Sequence, residues 1–190
     1  MRILVLILIL IFSLLSIARA DSIKDFEIND MSVGDSLLKY FSKKEIDKGK
    51  FFEKEQGNNK DVARFYIREK KGNYDWTAAS YKTADKDYKI IELTGFVFMN
   101  FSKCIKERNK IDEELTNMFI NSDRQVTGKV PHFLDKDSFT DNIIYWTSKT
   151  QNDLISLTCY DWSDVSGYDD QLRIEAYTNE YYEWLSSLEY

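Results

Sequence analysis

Apolar positions along the chain change period several times, and each change marks an element. Ser32-Val33-Gly34-Asp35 matches a capping box, in which a serine hydroxyl accepts from the amide three residues on and the acidic residue reaches back. Val33, Leu37, Leu38 and Phe41 follow at helical spacing. Ser42-Lys43-Lys44-Glu45 repeats the box and predicts a short second turn anchored by Ile46. Residues 47–60 are charged and polar, a loop around Phe51 and Phe52. From 62 to 68 the period drops to two: Ala63, Phe65 and Ile67 alternate with Val62, Arg64 and Tyr66, as in a strand. Lys70-Lys71-Gly72-Asn73 supplies turn chemistry, so 74–82 returns as the second arm of a hairpin. Residues 88–99 are apolar on both faces, as a central strand requires. Gly95 inside them marks a bulge or a close approach by a neighbour.

The strongest helical signal spans 101–120. Cys104, Ile105, Ile111, Leu115, Met118 and Phe119 form one stripe wide enough to face a core, and the charged residues fall mostly off it. Residues 121–140 hold the sole proline and the sole histidine and read as a long connection. Strands resume at 142–148, 153–162 and 171–177. Thr178 then caps a short helix carrying Tyr181, Trp184, Leu185 and Leu188. Short loops between strands make them antiparallel by default. The expected fold is α+β: a mostly antiparallel sheet of about six strands, with one long helix packed on it, short N- and C-terminal helices, and all helices on one face. The order of helix and three strands, twice over, suggests two similar halves, although they share no alignable motif.

Composition narrows the function. The 190 residues carry 26 basic and 32 acidic side chains, a formal net charge of −6, and one His. An acidic balance lacks the basic field that nucleic acid or an anionic membrane surface needs. A single His excludes His-rich zinc sites and H-E-x-x-H chemistry. No cofactor motif is present, and no C-x-x-C exists for disulfide exchange.

Residues 1–20 place Arg2 before an apolar run from Ile3 to Ile17 and close on Ala18-Arg19-Ala20. That is the pattern of a secretory signal peptide cleaved at Ala20/Asp21. The run is about 15 residues, short of the roughly 20 that a spanning helix needs. Cleavage leaves residues 21–190 as a single α+β domain with 24 basic and 32 acidic residues, a net −8, in the periplasm or outside the cell and without stable membrane insertion. Two cysteines, Cys104 and Cys159, form an even count in an oxidising compartment. Cys104 lies on the apolar stripe of the long helix, and Cys159 shares an apolar strand face with Ile155 and Leu157. Both therefore point into the helix–sheet interface, where a disulfide is expected.

Gly34-Asp35-Ser36-Leu37 resembles the nucleophile block of the GDSL (SGNH) hydrolases. That resemblance makes Ser36 a candidate catalytic nucleophile and the chain a candidate serine esterase. Such chemistry needs a base in reach of the hydroxyl, a carboxylate to orient the base, and oxyanion donors. His132 is preceded at −3 by Lys129 rather than Asp, some 58 residues follow it, and no G-x-N-D block occurs. The capping box accounts for Ser32 and Asp35 without catalysis. Asp161, Asp164, Asp169 and Asp170 crowd one loop and are candidate calcium ligands, although Val165 breaks the EF-hand spacing; the alternative is a solvated acidic turn. Tyr74, Trp76, Tyr81, Tyr145, Trp146, Tyr160 and Trp162 fit either core packing or a ring surface for a sugar or apolar ligand.

The A-x-A terminus, DFEINDMSVGDSLLKYFSKKEI, YKIIELTGFVF, the helix around Cys104, and ISLTCYDWS before LRIEAY together resemble a group of small exported proteins of marine alphaproteobacteria. The resemblance covers most of the chain and implies a periplasmic address and paired cysteines, but no activity. The expected function is a non-enzymatic binding or interaction module. Its alternatives are the Ser36 esterase and an envelope assembly or scaffolding factor with an envelope protein as partner.

Overall fold

The computed structural model describes residues 22–52, 59–68, 73–133, 135–147 and 153–188. The expected signal peptide and cleavage site, the turn residues 70–72 and the turn at 149–152 lie outside the described residues. The described residues form one antiparallel sheet of eight strands: β1 (Lys50–Phe51), β2 (Val62–Arg68), β3 (Trp76–Lys82), β4 (Ile90–Phe98), β5 (Asp123–Pro131), β6 (Phe139–Trp146), β7 (Leu154–Asp161) and β8 (Gln171–Tyr177). Its order is β1-β2-β3-β4-β8-β7-β6-β5. Among the described residues three α-helices accompany it: α1 (Lys43–Gly49), α2 (Phe101–Met118) and α3 (Asn179–Ser186).

The topology is two meanders, each preceded by helical segments, joined where their last strands meet. β4 pairs with β8 antiparallel, with Gly95 opposite Ile174. That pairing relates the two halves by a local two-fold normal to the sheet. Two strands exceed the expected six. β5 falls in the stretch read as a connection, and β1 in the stretch read as a loop. β5 is exposed along nearly its whole length, so burial imposed no period-two pattern on its side chains. β1 has two residues and no room for a pattern.

Cross-strand partners share a face, so the register defines two surfaces. The inner face carries rows such as Phe65–Ala79–Leu93–Ala176–Ile155–Tyr145, each residue at most 6% exposed. The lead-in residues Ile23, Ile28, Met31, Val33, Leu37 and Ile46 complete this core over the first half, and Cys104, Leu115 and Phe119 over the second. Full burial of each such aliphatic side chain contributes about 1.5–3 kcal/mol. Tyr74 lies on Gly95, so an added Cβ there would collide with the ring. Gly95 is thus the close approach that the sequence anticipated, while the irregularity in β3–β4 pairing sits at Ser80/Tyr81.

Helix α2 is pinned by more than its apolar stripe. The Cys104–Cys159 disulfide joins it to β7 across a Cα–Cα distance of 5.8 Å. Arg108 is buried and pairs with Asp141 on β6. Asp112 accepts both arms of the Arg124 fork at 2.7 Å, and its backbone carbonyl accepts from the Tyr145 hydroxyl at 2.9 Å.

Two expectations are corrected at the ends of the chain. No α-helix starts at Ser32. Asp35 does accept from the Ser32 amide, the reaching-back half of the box, but Gly34 takes φ +90°. Its amide donates to the Ile90 carbonyl at 2.7 Å, Ile90 donates back to Asp35, and Leu37 donates to the Tyr88 carbonyl. Pairing with the approach to β4 competes with the helix and wins, leaving one 3₁₀ turn at Leu37–Lys39. The second box behaves as written: Ser42 and Glu45 cap α1 reciprocally. At the other end Thr178 caps α3. That helix packs on the opposite face from α2, with Tyr181 against Val62 and Ile91 and with Tyr177, Trp184 and Leu185 around them. The helices therefore do not all share one face.

Candidate functional site

The outer face of the sheet extends beyond the end that α3 covers. Its rows are polar and aromatic: Arg64–Ser80–Glu92–Tyr177, Thr94–Glu175–Ser156 and Phe96–Arg173–Thr158–Asn142. Even short side chains here are shut from water, with Ser80 at 1%, Ser156 at 4% and Thr158 at 5% exposure.

Burial of polar groups requires partners, and the face supplies them. Arg64 Nη2 donates to Glu92 at 2.8 Å and to Thr94 Oγ1 at 2.7 Å. Ser80 and Thr94 also donate to Glu92. Ser156 and Thr158 donate to Asn142 Oδ1 at 2.9 and 3.1 Å. Burial pushes the Glu175 carboxyl above its ordinary range against the pull of Arg173. It also raises the Tyr160 and Tyr177 phenols.

Across these rows runs a rail of alternating cations and rings. Arg64 sits 5.6 Å from the Tyr66 ring centroid and 5.9 Å from that of Phe96. Arg173 sits 5.3 Å from Phe96 and 4.2 Å from Tyr160. Tyr160 stacks on Trp162 at 5.4 Å with an interplanar angle of 12°. Trp162 meets His132 at 4.6 Å and Tyr168 at 4.8 Å, and His132 stacks on Phe133 at 4.9 Å. Spacings near 5 Å are those of attractive ring–ring and cation–ring contacts. The rail begins among buried groups and ends in solvent, where Tyr168 is 63% and Phe133 68% exposed. Burial, helped by the Arg173 charge, lowers the His132 pKa. The imidazole therefore acts as one more neutral ring at pH 7.

The residues singled out from the sequence fall in separate places. Ser36 caps the 3₁₀ turn: its Oγ accepts from Leu38 N–H at 3.2 Å and donates to the Asp87 carbonyl. It bridges Lys89, just before β4. His132 follows β5, at the end of the sheet where β4 finishes. The nine residues of β4, at about 3.3 Å each, set the two roughly 25 Å apart along the strand direction alone. The structure does not bring Ser36 and His132 together. Asp35 is held by Lys39 and Tyr40, and Lys39 foremost keeps its carboxyl below the usual range.

The four loop aspartates also part. Asp161 pairs with Lys129 at 2.7 Å. Asp170 accepts from the Trp162 amide at 2.8 Å and the Phe101 amide at 3.3 Å. Asp164 and Asp169 face solvent. Among the described residues no three His, Cys, Asp or Glu side chains converge as metal ligands do. The seven aromatic residues divide by face. Tyr74, Tyr81 and Tyr145 belong to the core; Trp76, Trp146, Tyr160 and Trp162 belong to the outer surface.

Sequence reasoning missed Arg64, Glu92, Arg173 and Glu175. Glu92 interrupts a strand read as apolar on both faces. A signal was present at 171–177, where Gln171, Arg173, Glu175 and Tyr177 alternate with Leu172, Ile174 and Ala176. A polar row that regular on a central strand marks a second face with work of its own.

No protein-family model, curated protein or solved structure matches the chain.

Proposed function

We propose that the protein is an exported, non-enzymatic binding module that takes its ligand on the outer face of the sheet. The observation that carries this is the rail from Arg64 to Tyr168, which continues a hydrogen-bonded polar face into solvent-exposed rings. Exposed aromatic groups beside fixed polar ones are the usual makeup of a ligand surface. Export is supported by the N-terminal Arg2-to-Ala20 pattern and by a buried disulfide, which persists in oxidising compartments. No helix among the described residues is long and apolar enough to cross a membrane.

The test is titration of isotope-labelled protein with four ligand classes: neutral oligosaccharides, uronates, aromatic acids and amphipathic peptides. The expected result is saturable shifts from at least one class, centred on Trp162 and Tyr168 and lost in W162A. Silence of the outer face towards all four, or shifts that W162A leaves intact, overturns the reading.

A second reading, an envelope assembly factor, draws on exposed Phe98, Val130, Phe133, Val165 and Tyr168 near the same end of the sheet. In that case the peptide class binds and the small acids and sugars do not.

A further inference from the structure

The two arginines of the rail differ in one respect that bears on the ligand. Arg64 has a carboxylate partner in Glu92. Arg173 has none among the described residues. Its guanidinium lies between the Phe96 and Tyr160 rings, and its hydrogen bonds go to neutral groups. Nη1 donates to the Tyr160 hydroxyl at 3.5 Å. With the Gln171 amide oxygen turned toward its donors, that oxygen accepts from Arg173 Nη2 and Trp162 Nε1, both at 3.2 Å. Arg173 Nε is buried and has no hydrogen-bond partner among the described residues. A guanidinium stays charged at any pH a protein meets, and a buried donor left without a partner is costly. Glu175, its neighbour along the strand face, attracts the guanidinium but forms no ion pair with it.

We infer that Arg173 anchors the ligand of this face, and that the ligand carries a carboxylate on a ring whose face can stack on an aromatic side chain. The inference rests on the binding reading above and narrows it. A carboxylate matches the planar fork of an arginine with a spare donor. The next groups along the rail are flat: Tyr160 and Trp162 stack nearly parallel and lead out to Tyr168, so a ring attached to the carboxylate continues the stack. A single negative charge suits the surroundings better than two. Glu92 and Glu175 share the face, Asp161 and Asp170 lie close by in the chain, and the whole chain is acidic at −6, which disfavours a dianionic phosphate. Two sources present a carboxylate on a ring, an aromatic acid and a uronic acid.

The experiment follows the Trp162 indole N–H resonance, assigned by its loss in W162F, while the full chain is titrated with five probes. These are benzoate, galacturonate, their neutral counterparts benzyl alcohol and galactose, and inorganic phosphate. At least one acid is expected to bind about tenfold or more tightly than its neutral counterpart, as a charge-assisted bidentate contact implies. R173Q is expected to abolish that preference, and R173K to keep only part of it. Benzoate binding alone points to aromatic acids; galacturonate binding alone points to sugar acids. Equal affinity for acid and neutral probe in the wild-type protein, a measurement that needs no variant, overturns the inference and leaves the binding reading standing. So does tighter binding of phosphate than of either acid, or an R173Q protein, folded by circular dichroism, with undiminished preference. Silence from all five probes also overturns the carboxylate assignment, and the wider four-class titration then decides the binding reading separately.

Discussion

At the scale of single residues, the fold turns on a few places where one side chain excludes another. Gly95 is the clearest. It sits mid-strand in β4, where glycine is normally a weakness, because the Tyr74 ring occupies the space a Cβ would need. G95A should therefore destabilise the protein, by about 1–3 kcal/mol as overpacking does. Trimming the ring in Y74A should make the same alanine nearly harmless. A double-mutant cycle in urea measures the coupling. If G95A costs the same with and without the ring, the collision is not what Gly95 avoids. The sequence showed that Gly95 mattered but not which neighbour came close, because Tyr74 reaches it from the segment that leads into β3, placed there by the β3–β4 register.

At the scale of elements, α2 is the best-determined piece. Its apolar stripe predicted the span to within two residues of Phe101–Met118, and Cys104 on that stripe meets Cys159 on β7. The bridge spans a sequence separation of 55, for which the chain-entropy model assigns about 4 kcal/mol. The paired variant C104A/C159A should lose up to that amount in denaturant unfolding, with the native secondary structure retained because Leu115, Phe119, Arg108 and Asp112 still hold the helix. A variant as stable as the wild type would show that the bridge restrains nothing the packing does not already restrain. β5 is the opposite case. An edge strand exposed on both faces carries no burial pattern for a reader to detect, and here Lys129, Arg124, a bulge between Val126 and Gly128, and Pro131 at its end supply the features that keep such an edge from pairing with other chains.

At the scale of the whole molecule, the sheet separates two chemistries, an apolar inner core and a charged, ring-lined outer face. The outer face makes stability depend on pH in a defined direction. Glu175 has its pKa raised above 4.5 by burial. The unfolded chain therefore releases that proton first as pH rises, and this contribution to stability is present below 4.5 and lost as pH climbs through the folded value. His132 has the opposite sign. Its pKa is lowered from 6.5, so its contribution is present above 6.5 and is lost as pH falls through the folded value. E175Q should thus cost no stability at pH 7 and should steepen the rise of stability between pH 4.5 and 6.5. Thermal melts across that range check it, and an E175Q profile parallel to that of the wild type would contradict the assignment.

The order of most strands, the long helix, the caps at Ser42 and Thr178 and the placing of both cysteines were legible in the chain, because each follows from a local period or a local hydrogen bond. Which strands adjoin, and so the pairing of β4 with β8, is a non-local choice that no local period encodes. The same holds for the failed helix at Ser32, where contacts with residues more than 50 positions away outweigh a four-residue capping motif. The arginine–ring rail belongs to this second kind. Its members come from β2, β4, β7 and β8 and the segments beside them, and only the register of the sheet sets Arg173 between Phe96 and Tyr160.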